Sequence, residues 1–201
     1  LEYEKRIKRK RLLCKDHIFN AISNDIFGKL TDPKKPPIFT MARFDKIKNI
    51  TGLIHAFGLS EKLQQRFNLI FAAGTIHIDD SSDVEERNEI TQAYHLIDEF
   101  NLHGKVRWLP SINKLDTGEV YRIIADHKGI FVQPALFEAF GLTIIEAMAS
   151  GLPTFAPKFG GPLEIIEYGK SGYLLNTSKP EFIASSLEDF VDMADNDKDL
   201  W

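Results

Sequence analysis

From Ile38 onward the chain alternates short apolar runs with longer stretches whose apolar residues recur at helical spacing. The runs are residues 38–42, 68–74, 105–109, 129–133, 152–156 and 172–175. Helices are expected over 49–58, with Leu53, Ile54, Ala56 and Phe57 on one side, and over 83–100, with Ile90, Tyr94, Ile97 and Phe100 as a stripe. Further helices are expected over 119–125, 142–149, 162–168 and 180–193. Strands that alternate with helices imply a parallel sheet wrapped on both faces. The expected class is therefore α/β, a Rossmann-like parallel sheet with helices on both faces. Ligands of such sheets bind beyond the carboxyl ends of the strands, where the strand order reverses. The residues just after each strand are the ones to inspect.

The stretch before this pattern behaves differently. Residues 1 to about 27 are expected as one amphipathic helix, with Ile7, Leu12, Leu13, Ile18, Ala21 and Ile22 apolar. Three prolines in Thr31–Pro37 then forbid a helix interior or a central strand. The expected division is a helical segment and linker over 1–30 and a Rossmann-like domain over 31–201. A length of 201 residues suits one such domain with an appended segment. The chain opens on Leu1 and closes on Trp201 after the acidic run Asp195–Asp199, so it is expected to be part of something longer.

Charge and composition exclude several partners. A net charge of -4 offers no basic field for nucleic acid. No apolar run approaches the ~18 residues that a membrane span needs. The charged opening, Leu1 to Arg11, is no secretory signal. Its basic run, Lys5 to Arg11, reads as a solvated helix face. The lone cysteine, Cys14, forms no intrachain disulfide, which fits a reducing, cytoplasmic setting.

Two loops carry chemistry. After the first strand come Arg43 and Lys48, with Asn49 as candidate N-cap of the next helix. Two cations there suit a diphosphate, although taken alone they read more simply as a solvated basic loop. After the fourth strand, Glu138 precedes Gly141, a helix opens at Leu142, and Glu146 lies one turn beyond Thr143. A helix start offers unpaired N–H groups and partial positive charge, a seat for phosphate. Glu146 suits a pair of sugar hydroxyls. The six His show no metal-ligand spacing, and His77 with Asp79 and Asp80 reads as a polar loop.

Glu138 and Glu146 have the E-x7-E spacing of retaining glycosyltransferases of the GT-B fold. Thr40–Gly52, Phe131–Met148, Gly151–Ala156 and Phe159–Gly172, taken in order, resemble the sucrose synthases, bacterial type. That resemblance implies the C-terminal, donor-binding domain of a GT-B enzyme that reversibly converts sucrose and a nucleoside diphosphate into nucleotide-glucose and fructose. It assigns Arg43 and Lys48 to the diphosphate and Glu146 to the ribose. It assigns Glu138, with the backbone of Phe140 and Gly141, to the transferred glucose, and the amides of Leu142 and Thr143 to phosphate. Glu138, Arg43 and Lys48 are the catalytic candidates. No metal or cofactor is expected, because cations and a helix N-terminus neutralise the leaving diphosphate.

One departure concerns the base. Many plant-type members carry a Gln and an Asn in the loop after the third strand. Here Leu109–Gly118 has no Gln, which weakens a preference for UDP-glucose over ADP-glucose. The acceptor site, a Gly-rich loop and a catalytic His belong to an N-terminal GT-B domain that this chain does not contain, so the chain alone is expected to be inactive. The whole protein is expected as a homo-oligomer. A sucrose-phosphate synthase-like donor domain and a non-catalytic nucleotide-binding module are the competing readings.

Overall fold

The computed structural model describes residues 2–197. Leu1 and residues 198–201, including Trp201 and the end of the acidic run, lie outside the described residues, as do the side chains of Glu2, Tyr3 and Arg6. The strands are β1 (Pro37–Met41), β2 (Asn68–Ala72), β3 (Val106–Leu109), β4 (Ile130–Val132), β5 (Thr154–Pro157) and β6 (Tyr173–Leu175). They form one sheet in the order β3-β2-β1-β4-β5-β6, and every neighbouring pair is parallel. The chain steps outward from β1 to one edge, then returns to β4 and steps to the other. The order therefore reverses between β1 and β4.

The helices are α1 (Glu2–Phe19), α2 (Ile50–Leu59), α3 (Glu61–Arg66), α4 (Val84–Glu99), α5 (Lys114–Asp126), α6 (Leu142–Ala149), α7 (Pro162–Ile165) and α8 (Pro180–Asn196). Strand side chains alternate between the two faces, as a period of two requires. Ile38, Leu69, Phe71, Trp108, Ile130 and Val132 meet residues of α2, α3, α4 and α8 in one core. Phe39, Ile70, Leu109 and Phe131 meet α5, α6 and the end of α1 in the other. The expected α/β fold and its six strands are thus present.

Three local expectations are corrected. The first helix stops at Phe19, not near residue 27. The Arg107 guanidinium, buried on β3, donates to the carbonyls of His17 (2.8 Å), Ala21 (2.6 Å) and Gly28 (2.9 Å). It satisfies the carbonyls that a helix end leaves unpaired and draws the chain out to Phe27, which bridges Trp108 in antiparallel sense. Of the expected apolar stripe only Ile18 is buried, while Ile7, Leu12, Leu13 and Ile22 are exposed. Second, α5 starts at Lys114 rather than Glu119, because Asn113 Oδ1 accepts from the Leu115 amide and caps it. Third, a short helix, α3, follows α2 directly, with Ser60 as its side-chain cap.

Candidate functional site

The carboxyl ends of β1 and β4 face each other at the reversal point. Between them opens a cleft of about 230 Å³ lined by Met41, Ala42, Lys48, Gln133, Glu138, Phe140, Gly141, Leu142 and Thr143. Larger hollows, of about 500 and 520 Å³, lie at the amino-terminal end of the strands and lack a comparable convergence of cation, carboxylate and helix start.

The β1–α2 loop is pinned by Phe44, which is buried and stacks on Phe71 with ring planes 3° apart. Beyond it Asp45 accepts from the Lys48 amide at 2.9 Å and tightens the turn. The Lys48 ammonium is thereby carried into the cleft, where it meets Glu138 Oε2 at 2.8 Å. Arg43, on the outer side of the anchor, has a side chain 84% exposed, pairs with Asp45 at 3.2 Å, and does not line the cleft.

Asn49 is not the side-chain cap expected from its position. Its backbone is left-handed, at φ 54°, and its Nδ2 donates to Pro134 O at 2.9 Å. Thr177 Oγ1 donates to the adjacent Ala135 carbonyl at 2.9 Å, and the Leu136 amide reaches Ile47 O at 2.8 Å. These bonds tie the loops after β1, β4 and β6 into one frame. Glu138 is fixed from the other side, where its carbonyl accepts from the Gly161 amide at 2.8 Å. Gly160 has φ 96°, and a Cβ there would lie 2.1 Å from the Glu138 carbonyl oxygen, so only glycine lets the two segments meet.

Gly141 ends the loop at φ 96° and its carbonyl accepts from both Ile144 and Ile145. The amides of Leu142 and Thr143, at the first turn of α6, have no partner among the described residues. A free-amide pair and the helix dipole therefore face the Lys48–Glu138 couple across the cleft. Glu146 is exposed on α6, outside the cleft lining. Its charge adds to burial in pushing the Tyr121 hydroxyl above its ordinary pKa.

The structure thus gathers Lys48, Glu138, Phe140, Gly141, Leu142 and Thr143 at one place, and neither Arg43 nor Glu146 lines it. Gln133, Met41, Ala42, Thr177 and the bridging role of Asn49 were not anticipated. Gln133 carried a signal: it is a polar residue closing a buried apolar strand, Ile130–Val132. Among the described residues no group of three or more His, Cys, Asp or Glu side chains is placed to hold a metal ion, and no helix is long and apolar enough to cross a membrane.

A doubly wound parallel domain with a cation–carboxylate couple opposite a free helix start, at the reversal of strand order, defines a class of anion-binding α/β domains. A family model, "Glycosyl transferases group 1", matches residues 22–200, and the chain belongs to that family. The chain is 51% identical over 201 residues to a sucrose synthase of Thermosynechococcus vestitus, covering 99% of this chain and 25% of that protein. It spans a quarter of that relative's length. In fold it is similar to HepE of Anabaena, whose crystal structure holds UDP and glucose, with a TM-score of 0.66, 19% identity, and coverage of 84% of this chain and 41% of that one. It is also similar to the sucrose-phosphate synthase of Thermosynechococcus elongatus, with a TM-score of 0.63, 24% identity, and coverage of 80% and 37%. These likenesses identify the fold as that of GT-B glycosyltransferases.

Proposed function

We propose that the chain is the donor domain of a retaining glucosyltransferase that reversibly converts sucrose and a nucleoside diphosphate into nucleotide-glucose and fructose. The observation that carries this reading is the convergence of Lys48, Glu138 and the free amides of Leu142 and Thr143 on one cleft. Lys48 and the α6 N-terminus neutralise the diphosphate, and Arg43 closes on it from the margin once a ligand supplies a partner. Glu138 and the Phe140–Gly141 backbone hold the glucose, and Glu146 the ribose. With cations and a helix start meeting the leaving charge, transfer proceeds without a metal. The acceptor half lies in an N-terminal domain outside this chain, which fits the quarter-length coverage of the relative. Exposed Phe137, Phe140 and Leu142 on the rim suit contact with that domain. Identity of 51% with a sucrose synthase against 24% with a sucrose-phosphate synthase favours fructose over its phosphate as acceptor. The single cysteine, which forms no intrachain disulfide, supports a cytoplasmic location.

The test is calorimetry of ADP and UDP against the chain, together with an assay for sucrose cleavage. The expected result is binding of at least one diphosphate without cleavage. Robust cleavage by the 201-residue chain alone would show that the acceptor half is not elsewhere. No binding of either nucleotide would remove the donor reading.

A further inference from the structure

We infer that Gln133 is a positioning residue that sets the Thr143 hydroxyl as a proton donor toward bound phosphate, an inference that rests on the diphosphate reading above.

Gln133 is 1% exposed and closes β4 beneath the start of α6. Its Nε2 donates to Thr143 Oγ1 at 3.1 Å. A hydroxyl has one proton to give. One that already accepts from a buried amide keeps its own proton for another partner, and Thr143 lines the cleft. With the free amides of Leu142 and Thr143, the helix start then presents three donors instead of two.

The opposite polarity is disfavoured. If the amide were turned over, Oε1 would accept the Thr143 proton and consume it inside the protein. It would also leave a buried N–H without a partner, which folded proteins tolerate less readily than an unpaired carbonyl. In the arrangement present, the group without a partner is the Gln133 Oε1 acceptor. Keeping a buried carbonyl unpaired costs stability. A positioned donor at the phosphate seat gives that cost a use, in the way functional sites retain locally unfavourable choices.

The test is a double-mutant cycle. ADP and adenosine are titrated into the chain and into Gln133→Met, Thr143→Val, Thr143→Ser and the Gln133→Met/Thr143→Val combination, with melting temperatures alongside. Gln133→Met and Thr143→Val are each expected to lose about ten-fold in ADP affinity, the scale of one charge-assisted hydrogen bond. Adenosine affinity should not change, Thr143→Ser should retain ADP affinity, and the combined variant should bind ADP no more weakly than Thr143→Val alone. Gln133→Met binding ADP as well as the parent, or losses that add in the combined variant, would overturn the inference. If Gln133→Met fails to fold, Gln133→Glu replaces it, since a carboxylate draws the Thr143 proton inward. Thr143→Val should then cost nothing further in that background, and a full loss there overturns the inference. A parent chain that binds neither ADP nor UDP overturns the diphosphate reading itself. A parent that binds while Gln133→Met is unaffected overturns only the role of Gln133.

Discussion

Lys48 and Glu138 stand 90 residues apart in sequence, yet Lys48 Nζ lies 2.8 Å from Glu138 Oε2. Both side chains are largely shielded, at 21% and 12% exposure, so the pair is oriented before any ligand arrives. Arg43, at 84% exposure, must be ordered when a ligand binds. Fixing such a chain costs about 1.5–2 kcal/mol of rotamer freedom, against about 1.5–3 kcal/mol for a charge-assisted hydrogen bond. Lys48→Ala is therefore expected to cost more ADP affinity than Arg43→Ala, and both should leave adenosine binding unchanged. Calorimetric titration with the two ligands checks this. Equal losses for ADP and adenosine would show that neither cation touches phosphate.

Gly160 and Gly151 separate backbone strain from close approach. Both have positive φ, 96° and 79°, but a Cβ at Gly151 meets nothing within 4 Å, whereas one at Gly160 meets the Glu138 carbonyl oxygen at 2.1 Å. Gly151→Ala should cost about 1–2 kcal/mol, the left-handed penalty alone. Gly160→Ala should add overpacking, about 1–3 kcal/mol more, and should displace Glu138. Urea denaturation of the two variants is the measurement. Equal costs would mean that the loop at Gly160 yields without moving the site.

His127 predicts an acid-side loss of stability. The ring stacks on Phe19 with centroids 4.3 Å apart. Its pKa is pushed below the ordinary value, foremost by burial, with the Lys15 charge adding and a hydrogen bond to the Ile123 carbonyl opposing. The unfolded chain then takes up a proton more readily than the folded one. The contribution is full above the unfolded value of about 6.5 and is lost as pH falls below it toward the folded value. Melting temperature should drop between about pH 7.5 and pH 5.5, and His127→Phe should flatten that slope. An unchanged slope in the variant would assign the drop to other groups.

The strand–helix alternation was legible because each of the six strands is a short apolar run of its own. Glu138, Gly141 and Leu142 were legible because a carboxylate, a glycine and a helix start are adjacent in sequence. The end of the first helix was not, since what stops it is Arg107, some 80 residues or more downstream. Nor was the bridge made by Asn49, whose partner carbonyl, Pro134, is 85 residues away. The difference is between information held in neighbouring residues and information created by tertiary contact. Arg43 and Glu146 show the same boundary from the other side. Local spacing marked them as polar groups near the cleft, but their distance from it depends on loop and helix geometry.

The stretch after β3, where the proposed reading seats the base, gives a prediction sharpened by the start of α5. The stretch after β3 that is free of regular structure is only residues 110–113. Asn113, its one amide side chain, spends its carbonyl on the Leu115 amide at 2.9 Å. No side-chain amide there is free to offer both donor and acceptor to uracil. ADP and UDP should therefore bind with similar affinity, or with ADP ahead. Side-by-side titration decides, and a UDP preference of ~100-fold, about 2.7 kcal/mol, would mean that backbone groups or another loop read the base.

On the proposed reading, Glu138 and Glu146 should separate kinetically once the chain is joined to an acceptor half. Glu146 is exposed on α6 and outside the cleft lining, and the proposed reading assigns it to the ribose, which either nucleotide carries. A contact made equally in ground and transition states is uniform binding, so Glu146→Gln should raise KM and leave kcat nearly unchanged. Glu138 lies inside the cleft, paired with Lys48. Positive character builds on the glucose as its glycosidic bond breaks, and a shielded carboxylate stabilises that charge more than it stabilises the neutral sugar. Glu138→Gln should therefore lower kcat. It also frees Lys48 from its partner, so its diphosphate affinity should hold or rise while turnover falls. A role confined to shaping the Gly160 turn would leave turnover and affinity unchanged, because that contact runs through the Glu138 backbone carbonyl, which the substitution leaves intact. Steady-state kinetics with melting temperatures as control are the test. Matching losses of kcat and kcat/KM, accompanied by matching drops in melting temperature for the two variants, would refute the division of roles.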